Sequence, residues 1–212
     1  DFAFAYYQRG YDTDYIVMQQ INAQYYPTVI HEYVHFLIRN SGIVDIPVWL
    51  NEGLADFYST MQPMGKKVQV GSFIPGRLVQ LREKPLSIET LLSVDHKSPA
   101  YNEKDRAGTF YAMSWLLVHM LSMSAEYRDK FPQFLQAIVT TKPPTKAFED
   151  VYEKTPKRVE SELLKYARSE RITVALFDVK LEKAAESPVI EPADPFEVEI
   201  NQARLLAVNP QH

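Results

Sequence analysis

The chain contains no cysteine. That excludes disulfides, thiol nucleophiles and thiolate metal ligands, so any metal must be held by His, Asp or Glu. Positive charge is not in excess. The net charge is -4, the isoelectric point is near 5.8, and no basic stripe is visible, which argues against nucleic-acid binding. No apolar run approaches the length of a membrane span. There is neither an initiator Met nor a signal-peptide pattern, and the opening "DFAFAYYQRG" reads like the interior of a fold, so we expect a piece of a longer protein. Of 212 residues, 46% are apolar, enough to bury the core of one globular domain, alone or with a short appendage.

Hydrophobic periodicity and turn signals divide the chain. "YIVMQQ" (15–20) is a β-prone run after the turn-like Tyr11 to Asp14. Pro27 precedes a helical pattern with Ile30, Val34, Leu37 and Ile38 on its apolar side, stopping at Asn40-Ser41-Gly42. Pro47 opens a second helix, at about its first position. "KKVQVGSF" reads as a strand, and "GRLVQLRE" and "SIETLLSV" as short helices. A polar loop, "DHKSPAYNEKD", leads into the long apolar helix "AGTFYAMSWLLVHMLSM". Further helices are expected over 126–140, 144–153 and 156–169, and a late strand over 171–179. From 183 to 196 prolines and acids mark a linker. Residues 197–212 form a short amphipathic helix. It resembles the second helix of a tetratricopeptide repeat, and is either the start of a repeat array or a helix packed on the main domain.

The informative stretch is "TVIHEYVHFLIRN". His31 and His35 stand four positions apart, on one helix face about one turn apart, and can offer ring nitrogens to one ion. Glu32 lies about 100° around the helix, beside that face, where it can reach a water without displacing it. H-E-x-x-H suits zinc hydrolysis for this reason: zinc lowers the pKa of its water to roughly 7 and the carboxylate takes the proton. Two histidines do not complete a site. A third ligand shortly after the motif is excluded, because Ile38 and Ser41 stand where that pattern wants Gly and His. "WLNEGLADF" supplies another. Glu52 lies 17 positions after His35, and an antiparallel helix pair brings it back towards the histidines. Asp56, a turn further on, can accept the second ring N–H of a ligand histidine.

His31-Glu32-x-x-His35 followed by Asn51-Glu52-Gly53-Leu54-Ala55-Asp56 resembles the gluzincin metallopeptidases, and among them the bacterial peptidase MA-like domains found beside tetratricopeptide repeats. The resemblance is strong over 28–58 and weaker to about 125. It implies zinc as cofactor, with His31, His35 and Glu52 as ligands, Glu32 as general base and Asp56 as the hydrogen-bond partner of His31. It also implies an envelope-associated or extracytoplasmic bacterial setting. The Gly-x-Met-Glu-Asn motif of the aminopeptidase branch is missing upstream of His31, which tells against aminopeptidase activity. Relatives in that branch use a Tyr about sixty residues after the ligand Glu to steady the oxyanion, and Tyr111 is similarly placed. Tyr101 is the second candidate.

Other residues carry two readings each. Tyr111 is an oxyanion donor or a half-buried aromatic. His119 is a donor or, given its apolar neighbours, a core histidine. His96 reads as exposed, and Arg106 as a substrate-carboxylate partner or a surface ion pair. Tyr6, Tyr7, Tyr11 and Tyr15 line a peptide cleft or pack. Asp14 to Gln19 is the edge strand that would take substrate by β-augmentation, or an interior strand. The expectation is an α+β, mainly helical gluzincin-type domain over 1–182 with a small, partly missing sheet, acting on a peptide or protein substrate. A further protein partner is expected through the C-terminal helical repeats. The rivals are a non-catalytic zinc-stabilised binding module and an aminopeptidase.

Overall fold

A computed structural model describes residues 5–20, 22–43, 45–81, 85–102, 104–141, 143–169, 173–180 and 192–208, with the side chains of 104–106 and 208 left outside that description. Strands β1 (Ala5–Gln8) and β2 (Tyr15–Met18) form an antiparallel ribbon with Tyr7 opposite Ile16. A lone two-stranded ribbon is marginal in water. This one leans on helix α1 (Tyr26–Asn40), where the Tyr7 and Phe36 rings meet edge to face at 6.3 Å. Pro27 sits in the first turn of α1, where its missing N–H costs nothing. The helix ends at Ser41, and Gly42 takes φ +80° just beyond it, a left-handed conformation that a side chain would strain.

Helix α2 (Val48–Ser59) follows, with Pro47 capping it from just outside rather than occupying its first position. The central element is α6 (Lys104–Met123). Phe110, Met113, Trp115, Leu117, Val118 and Leu121 are all fully buried, so α6 is apolar all round, as a helix wrapped by protein must be. Gly53 lets α2 approach it. A Cβ at Gly53 would stand 2.5 Å from the Ser114 carbonyl oxygen and 2.6 Å from Val118 Cγ2.

Around this pair run α3 (Pro75–Leu81), α4 (Ile88–Ser93), α5 (Pro99–Asn102), α7 (Phe131–Ile138), α8 (Thr145–Tyr152) and α9 (Pro156–Ala167). A second antiparallel sheet has the order β3-β4-β5, from β3 (Gln62–Met64), β4 (Lys67–Val70) and β5 (Ala175–Asp178). Helix α10 (Pro195–Val208) reaches the ribbon side through Tyr15 and Asn201, 3.5 Å apart, and Arg204 and Asp12, 3.7 Å apart. The protein is thus a mainly helical α+β fold, as expected.

Several details depart from the sequence reading. Strand β3 was not expected: Pro63 breaks a strand pattern, but an edge strand tolerates it. The polar loop before α6 contains α5. Leu37 is exposed at 48%, while Val34 is buried at 8%, because α2 and the ribbon cover part of α1 and leave its far side to solvent. The helix expected from 126 begins at Phe131, after a 3-10 turn over Arg128–Lys130, with Pro132 setting the start. Helix α10 starts at Pro195, inside the expected linker, whose residues 183–191 lie outside the described ones. Arg106 keeps its two readings, since its side chain is likewise outside the description.

The close α2–α6 crossing gives a direct test. Gly53→Ala should lower unfolding stability by about 1–3 kcal/mol, since neither a backbone carbonyl nor a β-branched neighbour yields easily. Urea unfolding measures it. Gly76→Ala, whose Cβ would meet no atom within 4 Å, serves as the control.

Candidate functional site

His31 and His35 project from α1, and Glu52 from the N-terminal half of α2. His35 Nδ1 meets Asn51 Oδ1 at 3.1 Å, while His31 Nδ1, one turn earlier in α1, meets Asp56 Oδ1 at 3.0 Å, further along α2. This crossed pairing shows that the helices run antiparallel. It also sets both tautomers. Each Nδ1 faces an oxygen acceptor and so carries the proton, which leaves a lone pair on each Nε2.

Those lone pairs converge. His31 Nε2 and His35 Nε2 are 3.1 Å apart, and Glu52 Oε2 lies 3.4 Å from the first and 3.5 Å from the second. Ligand atoms around a tetrahedral ion with bonds of about 2.0–2.1 Å are separated by about 3.3 Å. Three acceptors facing one point repel unless a proton or cation sits between them. Without a cation, a proton takes that place. Burial opposes charge on the His31 ring, but its bonds to Asp56 and Glu52 outweigh this and hold its pKa up to about 9. Burial pushes Glu52 up, and the bonds from His31 and His35 more than reverse it, bringing it to about 2. The residues present therefore fit a divalent cation of zinc's preferences, with His-His-Glu ligation and each histidine held through its second nitrogen.

Glu32 stands beside this cluster without joining it. Its Oε2 accepts the Tyr7 N–H at 2.8 Å. Burial holds its pKa above the usual carboxylate range, against the pull of both histidines and the Tyr7 amide. The strand bordering Glu32 is therefore β1; β2, within the 14–19 segment, is the other edge of the same two-stranded ribbon, so among the described residues that segment is not an interior strand. Of the N-terminal tyrosines, Tyr7 is half-buried and bonded through its hydroxyl to Asp14 at 2.8 Å, whereas Tyr11 is 94% exposed.

His31, Glu32, Asp56 and Tyr111 open onto a cavity of about 590 Å³. Its lining also includes Met61, Phe73 and Ile74 and the neutral polar side chains of Ser59, Gln62 and Gln80. Tyr111 also lies under the Arg77 guanidinium, 4.9 Å from its ring centre. Burial, with Glu52 nearby, pushes the Tyr111 hydroxyl strongly up, so it stays a proton donor. Tyr101 reaches deeper: its hydroxyl donates to Glu52 Oε1 at 3.1 Å. His119 is not at the site. It is 1% exposed, donates from Nε2 to the Gly71 carbonyl at 2.9 Å and accepts the Tyr166 hydroxyl on Nδ1 at 2.7 Å, which makes it a core tie between α6, the β4–α3 loop and α9. His96 is exposed in its loop.

Sequence reasoning missed Arg77. Its Nε and Nη2 bond the two oxygens of Asp56 at 2.7 and 3.1 Å, a bidentate pair. Asp56 thus holds His31 on one side and is held by α3 on the other. Nothing in the pattern "GRLVQLRE" signals this, since the partner lies 21 positions away. Asn51 was legible as part of the motif, but not its bond to His35.

The protein is thus a mainly helical α+β domain with a His-His-Glu cluster between its first two helices. Residues 26–145, more than half the chain, match the family described as "Protein of unknown function (DUF1570)", and the chain belongs to that family. No curated protein and no solved structure matches it. Among the described residues no helix is long and apolar enough to cross a membrane.

Removing the Arg77 partner should be felt in stability. Asp56 is 6% exposed and Arg77 22% at the side chain, so Arg77→Met leaves a carboxylate with one partner in a nearly dry site. We expect a loss of about 1–3 kcal/mol, discounted from a fully buried pair for the exposure of the arginine. Denaturant titration of the metal-free protein checks it. A change under about 0.5 kcal/mol would mean that solvent screens the pair.

Proposed function

We propose that the protein is a zinc-dependent peptidase of the gluzincin kind, with His31, His35 and Glu52 as ligands and Glu32 as general base. The observation carrying this reading is the convergence of three lone pairs on one point, with a carboxylate beside them that is not part of the cluster. A zinc ion there supplies Lewis acidity, polarising a carbonyl and acidifying water.

The chain's own residues do the rest. The Tyr7 N–H holds the Glu32 carboxylate at the cavity wall. Glu32, with its pKa raised by burial, accepts the proton of the attacking water and returns it to the leaving amine. The Tyr111 hydroxyl, opening onto the same cavity, donates to the developing oxyanion. Arg77, over the Tyr111 ring, keeps positive charge on that side. The cavity receives a substrate side chain. The charged residues of its wall are His31, Glu32, Asp56 and Arg77, at or beside the cluster, so an uncharged side chain is preferred next to the scissile bond.

A zinc-stabilised binding module without catalysis is the rival from another class. Glu32 speaks against it, because a structural site has no use for a base. Such a site also closes its fourth position with a fourth protein ligand, and among the described residues the cluster has three members. Aminopeptidase activity is disfavoured by the missing anchor motif. A protein partner engaging α10, where Phe196 and Leu206 are exposed, remains part of the proposal.

The test is elemental analysis with a peptide-library cleavage assay, with and without chelator. We expect one zinc per chain and chelator-sensitive cleavage. Glu32→Gln should keep the zinc and lose hydrolysis, and loss of metal in this variant would show that Glu32 is a ligand instead.

Tyr111→Phe should keep fold and zinc and lower kcat by about 10²–10³ on a substrate the parent cleaves. A loss of only a few-fold would reduce Tyr111 to packing.

A further inference from the structure

Glu52 uses its two oxygens differently. Oε2 faces both histidine nitrogens, at 3.4 and 3.5 Å, while Oε1 accepts the Tyr101 hydroxyl at 3.1 Å. A carboxylate can bind a cation through one oxygen or both, and nothing in the spacing of the ligands along the sequence decides between these modes.

We propose that Tyr101 is a positioning residue that confines Glu52 to one-oxygen coordination by occupying the other oxygen. This rests on the metal-site reading above. For Oε1 to turn towards a cation it would have to give up the Tyr101 bond. Glu52 is 4% exposed, so little water is at hand to replace that partner, and a hydroxyl stranded without an acceptor in a half-buried site is costly.

Tyr101 is itself held still. Its N–H bonds the Ser98 carbonyl at 3.0 Å, and the side chain of the next residue, Asn102, bonds the His96 carbonyl at 2.8 Å. Its ring packs edge-on against His96 and Phe110, with centres 5.4 and 5.7 Å away. The Tyr111 ring lies beside it, with centres 6.1 Å apart. The chemical consequence is coordination by three protein atoms, which leaves a position open. Two oxygens from Glu52 would crowd that position. Tyr101 thus acts on the ligand, whereas Tyr111 faces the cavity.

The experiment compares the parent with Tyr101→Phe, which keeps the ring and removes the hydroxyl. Both are loaded with Co²⁺ in place of zinc, and zinc affinity is measured by chelator competition. Four-coordinate Co²⁺ absorbs visible light several-fold more strongly than the five-coordinate ion. We expect the variant's band to weaken several-fold and its zinc Kd to rise about tenfold, the low end for loss of a residue that orients a ligand, with the metal-free protein still unfolding in one cooperative transition. A variant with the parent's spectrum and affinity overturns the inference and leaves the metal site standing. A parent that takes up neither Co²⁺ nor zinc overturns the metal site itself, and the inference with it.

Discussion

The structure is organised around one electrostatic demand: two imidazole nitrogens and one carboxylate oxygen, all lone-pair bearing, aimed at the same point. Such an arrangement is unfavourable by itself and persists because the surroundings hold every member from behind. Asp56 fixes His31, Asn51 fixes His35 and Tyr101 fixes Glu52, at 3.0, 3.1 and 3.1 Å. Each bond turns a ring or carboxylate that would otherwise swing away, and each makes the point between them a better seat for a positive charge.

That arrangement places a geometric condition on the helices. The α1–α2 pair must lie close enough for Glu52 to reach both histidines, and α2 must in turn be pressed onto α6 by the missing side chain at Gly53. The core beneath, with Trp49, Trp115 and Phe110 each at 0% exposure, anchors this packing, because close-packed interiors resist the small shifts that would open the cluster. Arg77 adds a tie from α3 and His119 another between α6 and the loop after β4. Neither touches the three converging atoms, yet Arg77 fixes Asp56, and His119 fixes the packing on which the cavity wall rests.

The neighbours of the cluster divide by what they face. Glu32 and Tyr111 open onto the cavity, where a bound molecule would meet them. Asp56, Asn51 and Tyr101 face the ligands. The same amino-acid types thus take opposite parts according to which side of the cluster their element lies on. Glu32 is a half-buried carboxylate and Glu52 a buried one, but burial raises the first while two histidines depress the second. This separation places side by side the two carboxylates to which the proposed mechanism gives the parts of proton acceptor and cation ligand.

What the sequence by itself determined was the local chemistry. His31, Glu32 and His35 on one helix, Glu52 and Asp56 on the next, and the apolar character of α6 all follow from spacings within a helix, and helical spacing is a property of the chain's own backbone. The pairing of Asp56 with His31 was readable for the same reason, since it needs two helices and a short connection. The tertiary structure alone decided the rest. Arg77 reaches the site from a short helix whose pattern carries no trace of its partner, and Tyr101, expected only as a second oxyanion candidate, bonds Glu52 instead. The strand that meets Glu32 is β1, through a bond between residues 25 positions apart. Strand β3, with Pro63 in it, exists because an edge position spares proline the bond it cannot make. Contacts of this kind depend on how elements separated by many residues pack against one another, and no periodicity within a segment records them.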